Sequence, residues 1–509
     1  MAAGPAESWR TVGHRIWLAV GDFGMESARF GDVVVVIPGI MGSTLRLGDD
    51  MIWSPSAGDA LRALHVFRRH IRDVTVPSGT GDGPDSRVQP VAVMPDLHML
   101  GGLWTVHLGY SALCTWLQRQ FDLIPVTDDG PAGNLLTFPY DWRLSNRYNG
   151  GQLFTRAEPV LDRWRKRAGT PADAKLILIC HSMGGLVARW FLQECGGAAM
   201  TRKLITMGTP YRGALKALEQ LGNGVRKGPR PFRIDLTEFA RSLPSSYQLL
   251  PEYACVESPG GLQKVAQASL PPELDADLVR NAMDLHTQLD AKPLPADSTY
   301  LLTGREQRTA TTAGLEGDRI VVRYTIEGAD EAGDGTVPTV GSVPSGMAPD
   351  SPGLFFVAEQ HGALQSNRGV FDQLRGILTG RHEAHKELAA VRLDVVVPEV
   401  LDPGEDLRVS ARIIGDPEPV AATVLDQAGN EAASERMVTR DGELGVTFAG
   451  LGPGAYTVRV HGATPEAAAN VDAVTTAVLI WDDAERPGGS WPWEPAITKT
   501  RRGPSCRPR

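Results

Sequence analysis

The segment LILICHSMGGLVARW, residues 176–190, contains a serine at the junction of two local patterns. Strand-forming residues end at Cys180 and helix-forming residues begin near Gly184, so Ser182 lies in the tight turn between them. Such a turn lifts its central residue above the carboxyl edge of a sheet, and small neighbours allow strand and helix to approach closely. Gly184 and Gly185 are small, whereas Cys180 replaces the first glycine of G-x-S-x-G. We interpret Ser182 as a nucleophile; a tight turn without chemistry is the alternative.

A serine hydroxyl is a poor nucleophile until a base takes its proton, so Ser182 requires a histidine and a carboxylate later in the chain. Asp334 follows in the glycine-flanked segment GDGTVP, and His361 follows the strand-like run GLFFVAE. The order Ser, Asp, His is the one expected for a nucleophile on a strand-to-helix turn. Asp318 and Asp330 are competing acids in less favourable local settings. We therefore predict a catalytic triad of Ser182, Asp334 and His361.

The oxyanion formed during attack by a serine must be stabilised by backbone N–H groups. Met183, directly after the nucleophile, supplies one such group by its position. The run VVVVIPGIMGS ends in a Pro-Gly loop, and Ile40 follows Gly39 where the backbone can direct an N–H into the site. Met41 takes that role instead if the turn is shifted by one residue. The predicted oxyanion hole is Ile40 and Met183.

The elements that must position these residues form an alternating pattern up to about residue 385. Strand-like runs that are apolar throughout are typical of parallel strands covered on both faces, and here they alternate with amphipathic helical segments. This alternation predicts a doubly wound α/β fold with a mostly parallel sheet. The runs are VVVVI at 33–37, LLTF at 135–138, LILIC at 176–180, KLITM at 203–207, YLLTG at 300–304 and LFFV at 354–357.

The pattern changes after the charged segment RHEAHKELAA to short β-rich segments separated by turn residues. About seven strands in some 90 residues predict an immunoglobulin-like β-sandwich over residues 389–482. Residues 483–509 are rich in Pro, Gly and Arg and are expected to be a disordered tail. Residues 1–388 are then the catalytic domain.

Composition limits the classes of function that the chain can serve. A net charge of -9 over 509 residues gives no general attraction to nucleic acid, so no nucleic-acid partner is expected. Five scattered cysteines fit neither a disulfide framework nor a spaced zinc site, which favours a reducing compartment. The sequence has no signal-peptide core and no run of about 18 apolar residues. These features together predict a cytoplasmic protein.

Several segments, in their order along the chain, resemble the lecithin:cholesterol acyltransferase-like branch of the α/β hydrolases. The likeness spans roughly residues 30–380, and PYDWR is its most specific part because a generic hydrolase would not require it at that position. The segments are IPGIMGSTL at 37–45, FPYDWRLS at 138–145, CHSMGGLVAR at 180–189, MGTPYRGALKAL at 207–218, RSLPSSYQLLP at 241–251, GDGTVP at 333–338 and the segment around His361.

The resemblance implies an α/β-hydrolase fold, the same triad and oxyanion hole, and chemistry on lipid-like or other hydrophobic esters. It also implies a cap over the site, for which the insertions near 48–110 and 214–298 are available. The chain departs from the family at Cys180, and it has no counterpart of the cysteine-bounded lid loop or the secretory signal of the animal members. Substrate identity and compartment are therefore not transferred.

Two pairs of residues have alternative interpretations. Trp53 and Trp104 are placed to grip an acyl chain, although a tryptophan in such an insertion is more often packed in a core. Asp141 and Arg143 of PYDWR are placed to bind a head group, although a buried structural ion pair is the simpler interpretation.

The sequence predicts a serine esterase, lipase or O-acyltransferase that needs no cofactor or metal. Its expected partner is a hydrophobic acyl ester or phospholipid, with transient contact to a lipid surface as a further option. The alternative is a non-catalytic module that holds a hydrophobic ligand or a protein on a hydrolase scaffold, with an interaction β-sandwich.

Overall fold

A computed structural model describes residues 30–54, 71, 74–77, 83, 87–95, 109–227, 234–348, 350–380, 391–440 and 443–480. In these residues the strands, numbered along the chain, are β1 Val33–Ile37, β2 Ser43–Leu47, β3 Asp50–Trp53, β4 Val88–Val93, β5 Leu135–Thr137, β6 Leu176–His181, β7 Thr201–Met207, β8 Arg226–Lys227, β9 Ile234–Asp235, β10 Val256–Ser258, β11 Gly261–Gln263, β12 Thr299–Gly304, β13 Thr312–Glu316, β14 Arg319–Arg323, β15 Leu354–Val357, β16 Arg392–Val396, β17 Val400–Leu401, β18 Leu407–Ile414, β19 Val420–Leu425, β20 Glu431–Arg436, β21 Val438–Arg440, β22 Glu443–Phe448, β23 Gly454–Gly462 and β24 Val474–Ile480.

The helices of the described residues lie mainly between strands of the first part of the chain. The α-helices are Ser111–Phe121, Asn146–Arg165, Gly184–Glu194, Leu215–Asn223, Thr237–Ser242, Pro244–Tyr247, Ala276–Asp290, Thr339–Ser342, Arg368–Thr379 and Pro465–Asn470, and the 3-10 helices are Gly197–Met200, Val265–Gln267, Ala296–Ser298 and His361–Ser366. Among the residues described, no helix is long and apolar enough to cross a membrane.

The centre of the first part is a six-stranded sheet in the order β15-β12-β7-β6-β1-β5, and every pairing in it is parallel. All residues of β1 and β6 are buried. Side chains of a strand alternate between faces, so complete burial means that both faces of the sheet are covered. The predicted α/β fold is confirmed, and all six predicted runs are strands of this sheet.

The order of the strands reverses at β1. The chain passes from β1 to β5 on one side and then returns to β6 on the other side of β1. At such a switch point the loops after two neighbouring strands diverge, and open α/β sheets bind ligands in the resulting crevice. The loop after β1 begins at Pro38 and the turn after β6 contains Ser182, so both predicted halves of the oxyanion hole lie at this point.

The segments predicted as cap insertions contribute strands to two smaller sheets, namely β3 and β4 from the first insertion and β10 and β11 from the second. Strands β3, β2 and β4 form a three-stranded antiparallel sheet, and β11, β10, β13 and β14 form a four-stranded sheet. Most of residues 55–108, Trp104 among them, lie outside the described residues. The role of the two insertions as a cap stays a prediction.

The C-terminal part consists of a four-stranded sheet, β16-β18-β22-β21, and a five-stranded sheet, β17-β24-β23-β19-β20. Buried apolar side chains of both sheets form one core, between Val391 and Ile480. The predicted β-sandwich is confirmed, although two predicted segments, 391–400 and 434–439, each contribute to two strands. The predicted boundary at 388 and the tail at 483–509 fall outside the described residues and stay predictions.

Candidate active site

Ser182 occupies a sharp turn between β6 and the helix Gly184–Glu194. Its φ is +52°, in the left-handed region that a non-glycine residue adopts only at a cost in free energy. The turn is held by the Ser182 amide, which donates to the Met207 carbonyl at 2.8 Å, and by the Thr209 hydroxyl, which donates to the Ser182 carbonyl at 2.9 Å. The strained backbone projects the hydroxyl away from the sheet edge.

Both glycines after the turn are required by close packing. A Cβ at Gly184 would lie 2.4 Å from the Pro38 carbonyl oxygen, and one at Gly185 would lie 2.1 Å from the Thr209 hydroxyl. Cys180, in place of the family's glycine, is fully buried at the end of β6, and burial raises the pKa of its thiol. The thiol therefore stays protonated beneath the turn.

A chain of short hydrogen bonds joins the three residues of the predicted triad. The Ser182 Oγ lies 2.8 Å from His361 Nε2, and His361 Nδ1 lies 2.7 Å from Asp334 Oδ2. A carboxylate only accepts hydrogen bonds, so Nδ1 carries the ring proton and Nε2 is free to accept the hydroxyl proton. All three side chains are buried.

The other oxygen of the Asp334 carboxylate fixes its orientation. Oδ1 accepts the amides of Thr336 at 3.0 Å and Val337 at 2.7 Å, and the Asp334 carbonyl accepts the His361 amide at 2.8 Å. The carboxylate is thereby aimed at the imidazole by backbone groups of its own turn. The competing acids Asp318 and Asp330 are exposed, whereas Asp334 is buried.

The loop after β1 lies directly against the serine turn. A Cβ at Gly39 would be 2.9 Å from the Cβ of Ser182, so only glycine fits there. Among the described residues, the amides of Ile40, Met41 and Met183 donate to no acceptor, and all three residues are buried. Their N–H groups are therefore available to an oxyanion, and Met41, with a φ of +62°, remains the alternative to Ile40.

Aromatic side chains hold carbonyl groups of this loop and of Ser43, the first residue of β2. The Tyr140 hydroxyl donates to the Pro38 carbonyl at 2.9 Å, and Trp142 Nε1 donates to the Ser43 carbonyl at 3.1 Å. Trp53 Nε1 donates to the Met41 carbonyl at 2.9 Å. Two residues of the PYDWR segment thus fix the loop that carries the predicted oxyanion hole, and Trp53 is a packed core residue.

The remaining two residues of interest in PYDWR form a buried ion pair. Arg143 Nε donates to Asp141 Oδ1 at 2.9 Å, and its terminal nitrogen donates to Oδ2 at 2.7 Å. A further guanidinium nitrogen donates to the Val74 carbonyl at 2.6 Å. This arrangement corresponds to the structural interpretation of the pair.

A second hydrogen-bonded chain, not predicted from the sequence, runs beneath the site. The Gly39 amide donates to the Tyr110 hydroxyl at 2.8 Å, and this oxygen lies 2.8 Å from His181 Nδ1. His181 Nε2 lies 3.0 Å from the His361 carbonyl oxygen, which only accepts, so Nε2 carries the proton and Nδ1 accepts from Tyr110. Burial raises the pKa of Tyr110, which keeps its proton. The chain links the loop after β1 to the backbone of His361.

Residues 130–267 match the family model of lecithin:cholesterol acyltransferase. The predicted resemblance to this family is confirmed. The matched segment includes PYDWR and the Ser182 turn, while Asp334 and His361 lie beyond it. The match supports a hydrolase of the esterase or acyltransferase type.

Other similar proteins cover different parts of the chain. An uncharacterized protein of Saccharomyces cerevisiae is 29% identical over 182 residues, which are 35% of this chain and 23% of the yeast protein. The match thus spans less than a quarter of that relative. The solved structure of the Tle4–Tli4 complex covers 68% of this chain and 96% of its own at 15% identity and a TM-score of 0.46. The lipase BlEst2 of Bacillus licheniformis, in its propeptide form, covers 89% and 94% at 11% identity and a TM-score of 0.33.

Proposed function

We propose that this protein is a serine esterase or lipase, with O-acyl transfer as a related activity, that acts on lipid-like acyl esters through an acyl-enzyme. The observation that carries the proposal is the hydrogen-bonded chain from Ser182 through His361 to Asp334, with the serine strained at positive φ. A strained, buried serine beside a correctly oriented imidazole matches the requirements of nucleophilic catalysis. A module that only holds a ligand would need no such arrangement.

In the acylation step, Ser182 Oγ attacks the ester carbonyl carbon while His361 Nε2 takes the hydroxyl proton. Asp334 holds the ring in the required tautomer and stabilises the imidazolium by its negative charge. The carbonyl oxygen becomes an oxyanion, which accepts hydrogen bonds from the amides of Ile40 and Met183. When the tetrahedral intermediate collapses, the ester C–O bond breaks and the leaving alkoxide takes the proton from His361.

In the deacylation step, water or an alcohol donates a proton to His361 Nε2 as its oxygen attacks the acyl carbon. Collapse of the second intermediate returns the proton to Ser182 and releases a fatty acid or a new ester. Atoms and protons balance without a metal or an organic cofactor.

We propose hydrolysis as the main activity. Acyl transfer to an alcohol is faster than hydrolysis only where the acceptor hydroxyl is held near the acyl carbon, in a second pocket of a site that excludes water. The chain contains no feature that specifies a sterol, and it lacks the cysteine-bounded lid loop of the animal acyltransferases.

The cysteines of the described residues bear on the compartment. They are the free thiols Cys114, Cys180, Cys195 and Cys255, which supports a reducing compartment such as the cytoplasm.

Covalent labelling with a fluorophosphonate probe tests the nucleophile. We expect Ser182 to be labelled, and Ser182→Ala to abolish labelling and lower ester turnover on the order of 10⁴-fold or more. Ser434→Ala, an exposed serine of the sandwich, is the matched control and should leave both unchanged. Wild-type turnover in Ser182→Ala would refute the mechanism and favour a different site.

Product analysis tests hydrolysis against transfer. A labelled acyl donor is incubated with the enzyme in water containing several alcohols, and a chain-length series of model esters defines the preferred acyl group. Free fatty acid should be the main product. Predominantly acylated alcohol would show that transfer is the principal activity.

A further inference from the structure

The sandwich contacts the turns that carry the acid and the base of the proposed triad. Strand β16 is an edge strand, since it pairs only with β18 in its sheet. An unpaired strand edge leaves backbone N–H and C=O groups without partners. Here the groups of Leu393 and Val395 are taken by glutamine side chains that follow β12 and β15.

Gln307 connects β16 to the turn of Asp334. Its side-chain amide is buried and pairs on both sides, because Nε2 donates to the Leu393 carbonyl at 2.7 Å and Oε1 accepts the Val395 amide at 3.2 Å. Its backbone amide donates at 3.0 Å to the carbonyl of Gly333, the residue before Asp334. The side chain of Gln307 thus hydrogen-bonds to β16 as a neighbouring strand would, and its backbone contacts the turn of Asp334.

Gln360 and Glu359 connect the sandwich to the turn of His361. Gln360 precedes the histidine, and its Nε2 donates to the Val395 carbonyl at 2.9 Å. Glu359 is fully buried, and its Oε1 accepts the Thr475 amide of β24 at 2.8 Å and the Gln360 amide at 2.8 Å. Both sheets of the sandwich therefore hold the two residues before the base.

Charged groups add to the same interface. The Arg308 amide donates to Asp394 Oδ1 at 3.0 Å, and Arg392 forms an ion pair with Glu306 at 3.2 Å. These contacts fall on the segment around Gln307. The contacts are concentrated on the segments around Gln307 and Glu359. The two parts therefore share a specific interface and are not independent domains joined only by a linker.

We propose that the C-terminal sandwich positions Asp334 and His361 for catalysis, with Gln307, Glu359 and Gln360 as the positioning residues. This inference rests on the proposed function. General-base catalysis requires the imidazole within hydrogen-bond reach of the serine, and a displacement of about 1 Å can lower the rate on the order of 100-fold. Neither Asp334 nor His361 belongs to a strand of the central sheet, so strand pairing does not hold them directly.

The test uses the full chain with Gln307→Met and Gln360→Met. Methionine keeps the length of the side chain and removes its hydrogen bonds. Lys216→Met is the control, because it removes an ion pair of 3.4 Å to Glu399 that joins the sandwich to the helix Leu215–Asn223. If a methionine variant does not fold, glutamate replaces methionine at that position. Glutamate keeps the shape of the glutamine, puts an oxygen opposite the β16 carbonyl in place of the N–H donor, and adds a negative charge.

Four quantities separate positioning from simple destabilisation: kcat and KM for a model ester, the rate constant of fluorophosphonate labelling, and the fraction of protein finally labelled. We expect kcat and the labelling rate constant to fall at least about tenfold, with KM within about twofold and the labelled fraction unchanged. Lys216→Met should retain wild-type rates.

An unchanged labelling rate constant in the folded variants would overturn the inference and leave the proposed function intact. A loss of turnover that is explained wholly by a smaller labelled fraction would overturn it as well, since that is the result of a structural role. If the wild-type chain neither labels at Ser182 nor hydrolyses esters, the proposed function fails and this inference fails with it.

Discussion

The nucleophile side of the proposed site and its proposed acid–base side are held in different ways. Aromatic side chains of the α/β part hold the loop after β1 and the start of β2 through hydrogen bonds to the backbone; these are Tyr110, Tyr140 and Trp142. Amide and carboxylate side chains such as Gln307 and Glu359 hold the acid and base turns, and their partners belong to the sandwich.

This difference indicates which half of the proposed site depends on the α/β part and which half depends on the sandwich. The loop after β1 and the Ser182 turn share one hydrophobic core with the central sheet, whereas the sandwich has a core of its own. We therefore expect the oxyanion loop and the serine turn to form without the sandwich. The position of His361 relative to Ser182 is expected to require the sandwich.

Among the tests of this difference, removal of the sandwich should give the largest effect. A fragment of residues 1–388 is expected to fold, because the described residues of the first core end before 388, and to lose kcat on the order of 100-fold through misplacement of the two turns. Circular dichroism and ester turnover measure the two outcomes. Full activity in the fragment would contradict the positioning role. An unfolded fragment would show that the predicted domain division is wrong.

Tyr140→Phe tests the other half. The substitution leaves the buried Pro38 carbonyl without its donor, which costs about 1–3 kcal/mol of unfolding free energy and loosens the oxyanion loop. Turnover is expected to fall on the order of tenfold, measured together with thermal unfolding. Tyr456→Phe removes a bond of the same kind at an exposed position, to the Gly452 carbonyl in the sandwich, and should leave turnover unchanged. Equal effects of the two substitutions would show that the tyrosine only stabilises the fold.

The smallest expected effect concerns pH. Burial raises the pKa of Glu359 to about 7, against hydrogen bonds from Thr475, Asn367 and Gln360 and the charge of Arg459, which lower it. The folded protein therefore retains a proton that the unfolded chain releases at lower pH. Its contribution to stability is full below the unfolded pKa of the carboxyl and is lost as pH rises through about 7.

Denaturant unfolding at pH 5 and pH 8 measures this contribution in the wild type and in Glu359→Gln. Between these pH values the wild type should lose on the order of 2 kcal/mol of unfolding free energy relative to the variant, which has no titrating group at this position. Parallel behaviour of the two proteins would contradict a raised pKa at Glu359.

Much of the central sheet and of the candidate site could be predicted from local sequence. The apolar runs that became β1, β6 and β12 are short, continuous and bounded by turn residues, so their burial on both faces could be inferred. Ser182 follows β6 directly, and His361 follows β15 after three residues. The proposed roles of these residues and of Asp334 stay predictions.

The supporting residues could not be predicted, because their contacts join distant segments. The partners of these hydrogen bonds are far apart in the sequence. The separation is 71 residues for Tyr110 and His181, 86 for Gln307 and Leu393, and 116 for Glu359 and Thr475. A buried glutamine or tyrosine has no periodic signature, and its partner is a backbone group that any sequence provides. The split of 391–400 into β16 and β17 was missed for a related reason, since the two strands pair in different sheets.

The paired edge of β16 has a consequence for solubility. In the whole protein, Gln307 and Gln360 occupy backbone groups that would otherwise be free to recruit a strand from another molecule. A sandwich produced alone exposes this edge and is expected to self-associate through it, because unprotected edges template intermolecular β-pairing. The same glutamines that are proposed to align the acid and base turns would then also protect the protein from aggregation.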